Sequence, residues 1–370
     1  MKRFLKLLAS IFFFIGLSAR AAECTHYWQT LLSTDPSVPK GMSGDGNAAY
    51  GVLSFEATAS TKLVIKGEFP NARFMSLSTV KGKRHHPQDA VEDYKIKPDE
   101  GSVNPFVEGA PMDAPNRAFT LEAIPFTNAQ PKVNQLRFPS KGSMHAFMYR
   151  IFSPNSGVKI LGSDFPRVFA YDARTNQPKH CPRPLPQDMY YHFPQFLGLI
   201  VHYKPSFDFR LRSINWGPNS AIPQYAYGVN PMRQGEEVLV TRLKVPNFVN
   251  SFPGKGPFPR SSEVRFWSFC AENFANDESL GCVPDYLAQV GADGIATFVY
   301  GQGDDVRDTA QRRGYNFIKD VRKSNQFIAG LVYRNLLPEA EFAKTTMHQG
   351  AYLPRAVQCT REEFLSDDCG

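Results

Sequence analysis

The chain repeats itself, and that limits its fold more than any other feature. Lys62–Asn71 reads KLVIKGEFPN, and 176 residues later Val238–Asn247 reads VLVTRLKVPN. Tyr50-Gly51-Val52 stands at nearly the same offset from Tyr227-Gly228-Val229. Ala72–Ser78 (ARFMSLS) matches Val264–Cys270 (VRFWSFC) at an offset of 192. The step comes from FVNSFPGKGPFPRSSE, an insertion in the second copy. Val91-Glu92-Asp93-Tyr94 then matches Val283-Pro284-Asp285-Tyr286. Phe147–Arg150 matches Leu331–Arg334, Phe165–Val168 matches Leu353–Ala356, and Cys181 falls in register with Cys369. A period this long exceeds the 20–50 residues of solenoids, so the chain is a tandem pair of domains.

The repeated blocks predict strands. LVIKGEF and ARFMSLSTV are short, rich in β-branched and aromatic residues, and bounded by Pro, Asn and Gly. Pro70-Asn71 and Pro246-Asn247 mark turns. Helix signals are few: Pro338 with Glu339–Met347, and Arg361–Leu365. The expected fold is mainly β: two tandem, duplicated, antiparallel β-sandwich-like domains with a few short helices. Residues 22–182 form the first repeat and 222–370 the second, joined by an aromatic and Pro-rich connector, 183–221.

Lys2, Arg3 and Lys6 precede an apolar run, Leu7–Leu17, and then Ala19-Arg20-Ala21. This is the pattern of a secretory signal peptide, cleaved after Ala21, and the run is too short to span a bilayer. The expected location is the periplasm or the medium. Removing 1–21 takes four basic residues and no acid, lowering the net charge from +7 to +3. So weak a charge argues against nucleic acid as a partner, and no later segment is apolar enough to span a membrane. Six cysteines in an exported chain point to disulfides, although six admit many connectivities. Closeness in sequence suggests Cys270–Cys282 and Cys359–Cys369, which leaves Cys24–Cys181. No C-x-x-C motif is present.

VRFWSFC, CVPDY, LVYRNLLPEAEFA and GAYLPRAVQC together resemble a family of uncharacterised exported bacterial proteins. Members carry R-[YF]-W-S-[LF]-C, C-V-x-D-Y and Y-x-P-R-A-V-x-C blocks. The resemblance implies export and cysteine pairing but carries no activity.

Arg73 shares strand parity with Met75 and Leu77, and Arg265 shares it with Trp267 and Phe269. An arginine on such a face needs a partner, because an unpaired buried charge is costly. Asp93 and Asp285, equally spaced from the two arginines, are the expected partners within each copy. Arg150 and Arg334 add one more arginine per copy. Arg73, Asp93, Arg150, Arg265, Asp285 and Arg334 are therefore the ligand-binding candidates, weighed against a structural ion network.

Other motifs carry less. His85-His86 sits in a loop with no histidine counterpart, and His145, His180, His192 and His202 are scattered without H-x-x-x-H spacing, so no metal or cofactor is expected. Gly41–Gly46 (GMSGDG) lacks the second glycine of a nucleophile elbow. Gly301–Asp305 (GQGDD) lacks the residues of a phosphate loop and reads as a turn, with a calcium-friendly loop as the alternative. Aromatic residues crowd the connector from Tyr190 to Tyr227, either as a wedge between the sandwiches or as a surface for sugar or lipid.

The functional expectation is a non-catalytic protein binding a small molecule, a glycan or a protein in a groove between two related β domains. The alternative is a periplasmic hydrolase acting on a carbohydrate or lipid. A hydrolase needs acids with separated pKa values, and the only repeated acid, Asp93/Asp285, is expected to be committed to arginine.

Overall fold

The computed structural model describes residues 23–25, 28–32, 45, 48–81, 86–111, 113–126, 130–139, 145–154, 165–184, 206–212, 224–249, 262–273, 278–322, 328–343 and 349–369. The leader at 1–21, the GMSGDG turn apart from Asp45, His85, His192, His202 and most of the aromatic connector lie outside these residues.

The first copy packs two sheets face to face. One has the order β1-β2-β8-β4-β5: Trp28–Leu32, Ala48–Phe55, His145–Pro154, Ala72–Lys81 and His86–Glu92. The other has the order β7-β6-β3-β9: Gln135–Phe138, Ala118–Pro125, Thr61–Glu68 and Arg167–Asp172. Alternation drives the packing. In β6 every second residue is buried, so one face of the strand joins a core built on Leu53, Ile65, Leu77, Phe119, Leu121, Phe147 and Tyr149.

The second copy repeats this arrangement. β14 (Glu278–Pro284), β13 (Phe266–Asn273), β17 (Ile328–Leu336) and β11 (Gln224–Pro231) are followed by β10 (Ser206–Arg212). The second layer is β18 (Arg355–Thr360), β12 (Glu237–Lys244), β15 (Ile295–Gly301) and β16 (Asn316–Lys319). One residue pair, Asp208 opposite Arg355, joins β10 to β18 and makes the nine strands continuous. The core here is Leu239, Leu243, Trp267, Phe269, Phe298, Tyr300, Leu331 and Tyr333.

Four details differ from the sequence reading. β10 lies within the segment read as connector, yet it completes the sheet of the second copy. The Tyr-Gly-Val match is two residues out of register: Tyr50 lies opposite Arg150, whereas the residue opposite Arg334 is Tyr225. Among the described residues each copy has one parallel pair, β6 with β7 and β15 with β16. The second of these is bridged by a helix, α1 (Asp304–Arg312), which begins within the GQGDD stretch expected to be a turn. Gly303 takes φ 108° before it, and Asp304 and Asp305 complement the positive end of its dipole. Val306, Thr309 and Ala310 form its buried stripe.

Of the two expected helices, residues 340–343 are helical, and Arg361–Ser366 forms α2 with Thr360 and Glu363 in a reciprocal capping box. The cysteines pair as Cys24–Cys181, Cys270–Cys282 and Cys359–Cys369, with none free. Cys270–Cys282 ties β13 to β14, and Cys359–Cys369 ties β18 to the end of α2. No helix among the described residues is long and apolar enough to cross a membrane.

Candidate functional site

The two copies meet end to end around equivalent residues. Phe74 and Phe266 occupy the same place in β4 and β13, and Phe152 and Leu336 the same place in β8 and β17. All four are buried in one apolar cluster, with Tyr286 and Leu337 packed against it. Phe152 and Phe266 meet with ring centroids 5.7 Å apart.

Beside this cluster the repeated charges exchange partners. Arg73 Nη1 donates to Asp285 Oδ1 at 2.6 Å, and both side chains are fully buried. Arg265 Nη2 donates to Asp93 Oδ1 at 3.3 Å. The in-copy pairing expected from the sequence is thus corrected: each arginine binds the aspartate of the other copy. The parity reading places the arginines on the right face, but they stand where their strands begin, Arg73 second in β4 and Arg265 just before β13. There the sandwich core ends, and a long side chain reaches past it to the neighbouring copy. Each aspartate is anchored at home. Asp93 accepts the amides of Met75 (3.1 Å) and Tyr94 (2.7 Å), and Asp285 accepts that of Trp267 (3.3 Å). Arg73 also donates to the Val249 carbonyl at 2.7 Å and lies over the rings of Phe248 and Phe266. The contact is reciprocal, as across a two-fold axis, but within one chain.

Burial outweighs the arginine at both carboxyls: Asp93 is pushed up to about 6 and Asp285 to about 7. Burial also lowers both arginines, with their aspartates opposing the shift. A carboxyl raised in the folded state holds its proton where the unfolded chain has released it. Stability from these two groups is therefore fully present near pH 4, falls as pH rises, and levels off above about 7. Asp172 and Glu363, held low by backbone amides, act in the opposite sense, but only below their ordinary 3.8 and 4.5. Urea midpoints should be higher at pH 5 than at pH 8, and Asp285→Asn should flatten that slope. Equal slopes in the two proteins would show that Asp285 does not titrate there.

The other candidates lie on the sheet face that carries the apolar cluster. In the first copy the register aligns Glu92, Ser76, Arg150 and Tyr50 in one row across four strands. The second copy aligns Pro284, Ser268, Arg334 and Tyr225. Arg334 is neutralised by Glu272, with Nη2 to Oε1 at 2.5 Å and both side chains buried. Arg150 is also buried, at 6% exposure, but no carboxylate among the described residues pairs with it. Its Nε donates to Met148 Sδ at 3.1 Å. Glu92, in the same row, is held by Lys95 at 2.9 Å. Ser76, opposite Arg150, and Ser78, opposite Met148, carry buried hydroxyls without hydrogen-bond partners among the described residues. Sequence parity found the arginines. It could not separate the neutralised one from the other, because Glu272 has no acidic counterpart in the first copy.

Other buried acids are committed. Asp320 holds Arg322 at 2.8 Å and accepts the Tyr300 hydroxyl, and Asp89 holds Arg137 at 3.2 Å. Among the described residues, Asp45 lies close to Cys270 and Cys282 in a metal-like grouping, but those two sulfurs are bonded to each other.

No family model matches the chain, and no curated protein matches it. Among solved structures it is similar to an uncharacterized protein from Burkholderia cenocepacia. Identity is 13%, the match covers 90% of this chain and 82% of that one, and the TM-score is 0.59. The VPA0106 protein from Vibrio parahaemolyticus aligns at 12% identity over 85% of this chain and 89% of its own, with a TM-score of 0.46. The first likeness supports the fold and nothing about ligand or activity.

Proposed function

We propose that this is an exported, non-catalytic binding protein of the uncharacterised family its motifs resemble. Its ligand, a small molecule or glycan, lies between the two related β domains against the Arg150 face. The observation that carries this reading is the contrast between equivalent arginines. Arg334 has Glu272, whereas Arg150 is buried with no acid partner among the described residues, next to the unused hydroxyls of Ser76 and Ser78 in the register. A buried cation without a counter-charge is costly, and an incoming acceptor offsets that cost. Commitment of Asp93, Asp285, Glu272 and Asp320 to arginines argues against an acid pair working on substrate. Three disulfides fit an oxidising compartment.

A thermal-shift screen of sugars and small metabolites tests this. A ligand at 100 times its Kd stabilises by about 2.7 kcal/mol, a shift of several degrees. Arg150→Met should match or exceed the ligand-free stability of the wild type and lose that shift. A shift that persists in Arg150→Met would place the ligand elsewhere. Release of product from any panel compound would replace binding with hydrolysis.

A further inference from the structure

We propose a second site: the cleft on the outer face of the β18-β12-β15-β16 layer binds a small organic anion through Arg242 and Arg355. Arg242 lies directly opposite Arg355 in the β12–β18 ladder and opposite Thr297 in β15. Side chains so placed stand about 5 Å apart at Cβ, where like charges repel. Arg242 makes no ion pair or hydrogen bond among the described side chains, and both arginines are exposed. They line an open concavity of about 800 Å³, walled by Val240, Leu243, Ile295, Tyr315 and Val357. That volume lies within the range of small-molecule pockets. Asp293, the acid of the lining, accepts the amide of Ile295.

The first copy is built differently at the equivalent place. Lys66 and Arg167 occupy the equivalent places and also face each other across two strands. There the repulsion is answered within the chain: Phe169 lies under both cations, and Glu23 stands 3.8 Å from Arg167. The place of Phe169 is taken in the second copy by Val357, which is smaller and 42% exposed. Two forks that fit oxyanions side by side, with apolar walls and Thr297 nearby, suit a carboxylate or phosphate on a compact organic body. This site is independent of the Arg150 face, and its failure leaves that reading untouched.

The test is calorimetric titration of the whole oxidised protein with D-glucuronate and with inorganic phosphate, at ionic strength matched with chloride. Saturable binding is expected for at least one of them, and the better of the two tells carboxylate from phosphate. Arg242→Gln and Arg355→Gln should each weaken it at least tenfold, and Val357→Phe should abolish it by filling the cleft as Phe169 does in the first copy. Lys66→Gln should leave it unchanged. No saturable binding in the wild type, or wild-type affinity in both Arg→Gln variants, would overturn the proposal. So would binding that appears only in Asp208→Asn, a change at the residue opposite Arg355 in the register.

Discussion

Arg73→Met should lower the unfolding free energy by about 3–5 kcal/mol, because it leaves the Asp285 carboxyl buried without its cation. Asp285→Leu should cost a similar amount by stranding Arg73. The double variant should cost clearly less than the two together, since an apolar pair of similar volume replaces a buried ion pair. The informative comparison is a second cycle, Arg73→Met with Asp93→Leu. These residues belong to the same copy and share no direct bond, so their coupling should be small beside that of Arg73 with Asp285. Denaturant melts of the six proteins decide this. Equal coupling in both cycles would place the bridges within the copies after all.

The second large effect concerns Cys24–Cys181, which links residues 157 apart in sequence. On the chain-entropy account, a loop of that length stabilises by about 5 kcal/mol, against about 3 for the loops closed by Cys270–Cys282 and Cys359–Cys369. Cys24→Ala with Cys181→Ala should therefore destabilise more than either of the other double replacements. The N-terminal segment depends on this link. Apart from the bridge, the hydrogen bond from the Cys24 amide to the Val168 carbonyl, the backbone bridge of Glu23 to Phe169 and the Glu23–Arg167 pair hold it to β9. Urea melts of the three double variants rank the bridges. A smaller loss for Cys24–Cys181 than for the short loops would mean that native packing, not loop closure, sets their worth.

Much of the architecture was legible in the sequence, because strands with one buried face announce themselves by alternation and the duplication lets each copy check the other. Trp267 and Phe269 beside Arg265 read correctly as a core-facing set. The partner of Arg265 was not legible. Asp93 and Asp285 are equivalent residues, so parity and spacing cannot say which copy supplies the acid; only the docking of the copies does. α1 was missed for a different reason. Its polar face and the Gly-rich approach resemble a turn, and Val306, Thr309 and Ala310 make a stripe too short to stand out. β10 was missed because SFDFRLR has no visible likeness to WQTLL in β1. The sheet edge they both complete is defined by pairing, not by composition. The special status of Arg150 rests on the absence of a counterpart to Glu272, which only side-chain geometry reveals.

The exchange of salt bridges has a consequence for ancestry. A reciprocal contact between equivalent residues is the contact that two separate, identical chains make in a homodimer. A single-copy progenitor would have met its own twin through Arg and Asp in this way, and fusion would have made the encounter intramolecular. Once fused, the halves no longer had to remain alike. One could close its cationic strand pair with an aromatic ring while the other kept the space free, a division of labour that a symmetric dimer encoded by one sequence cannot reach.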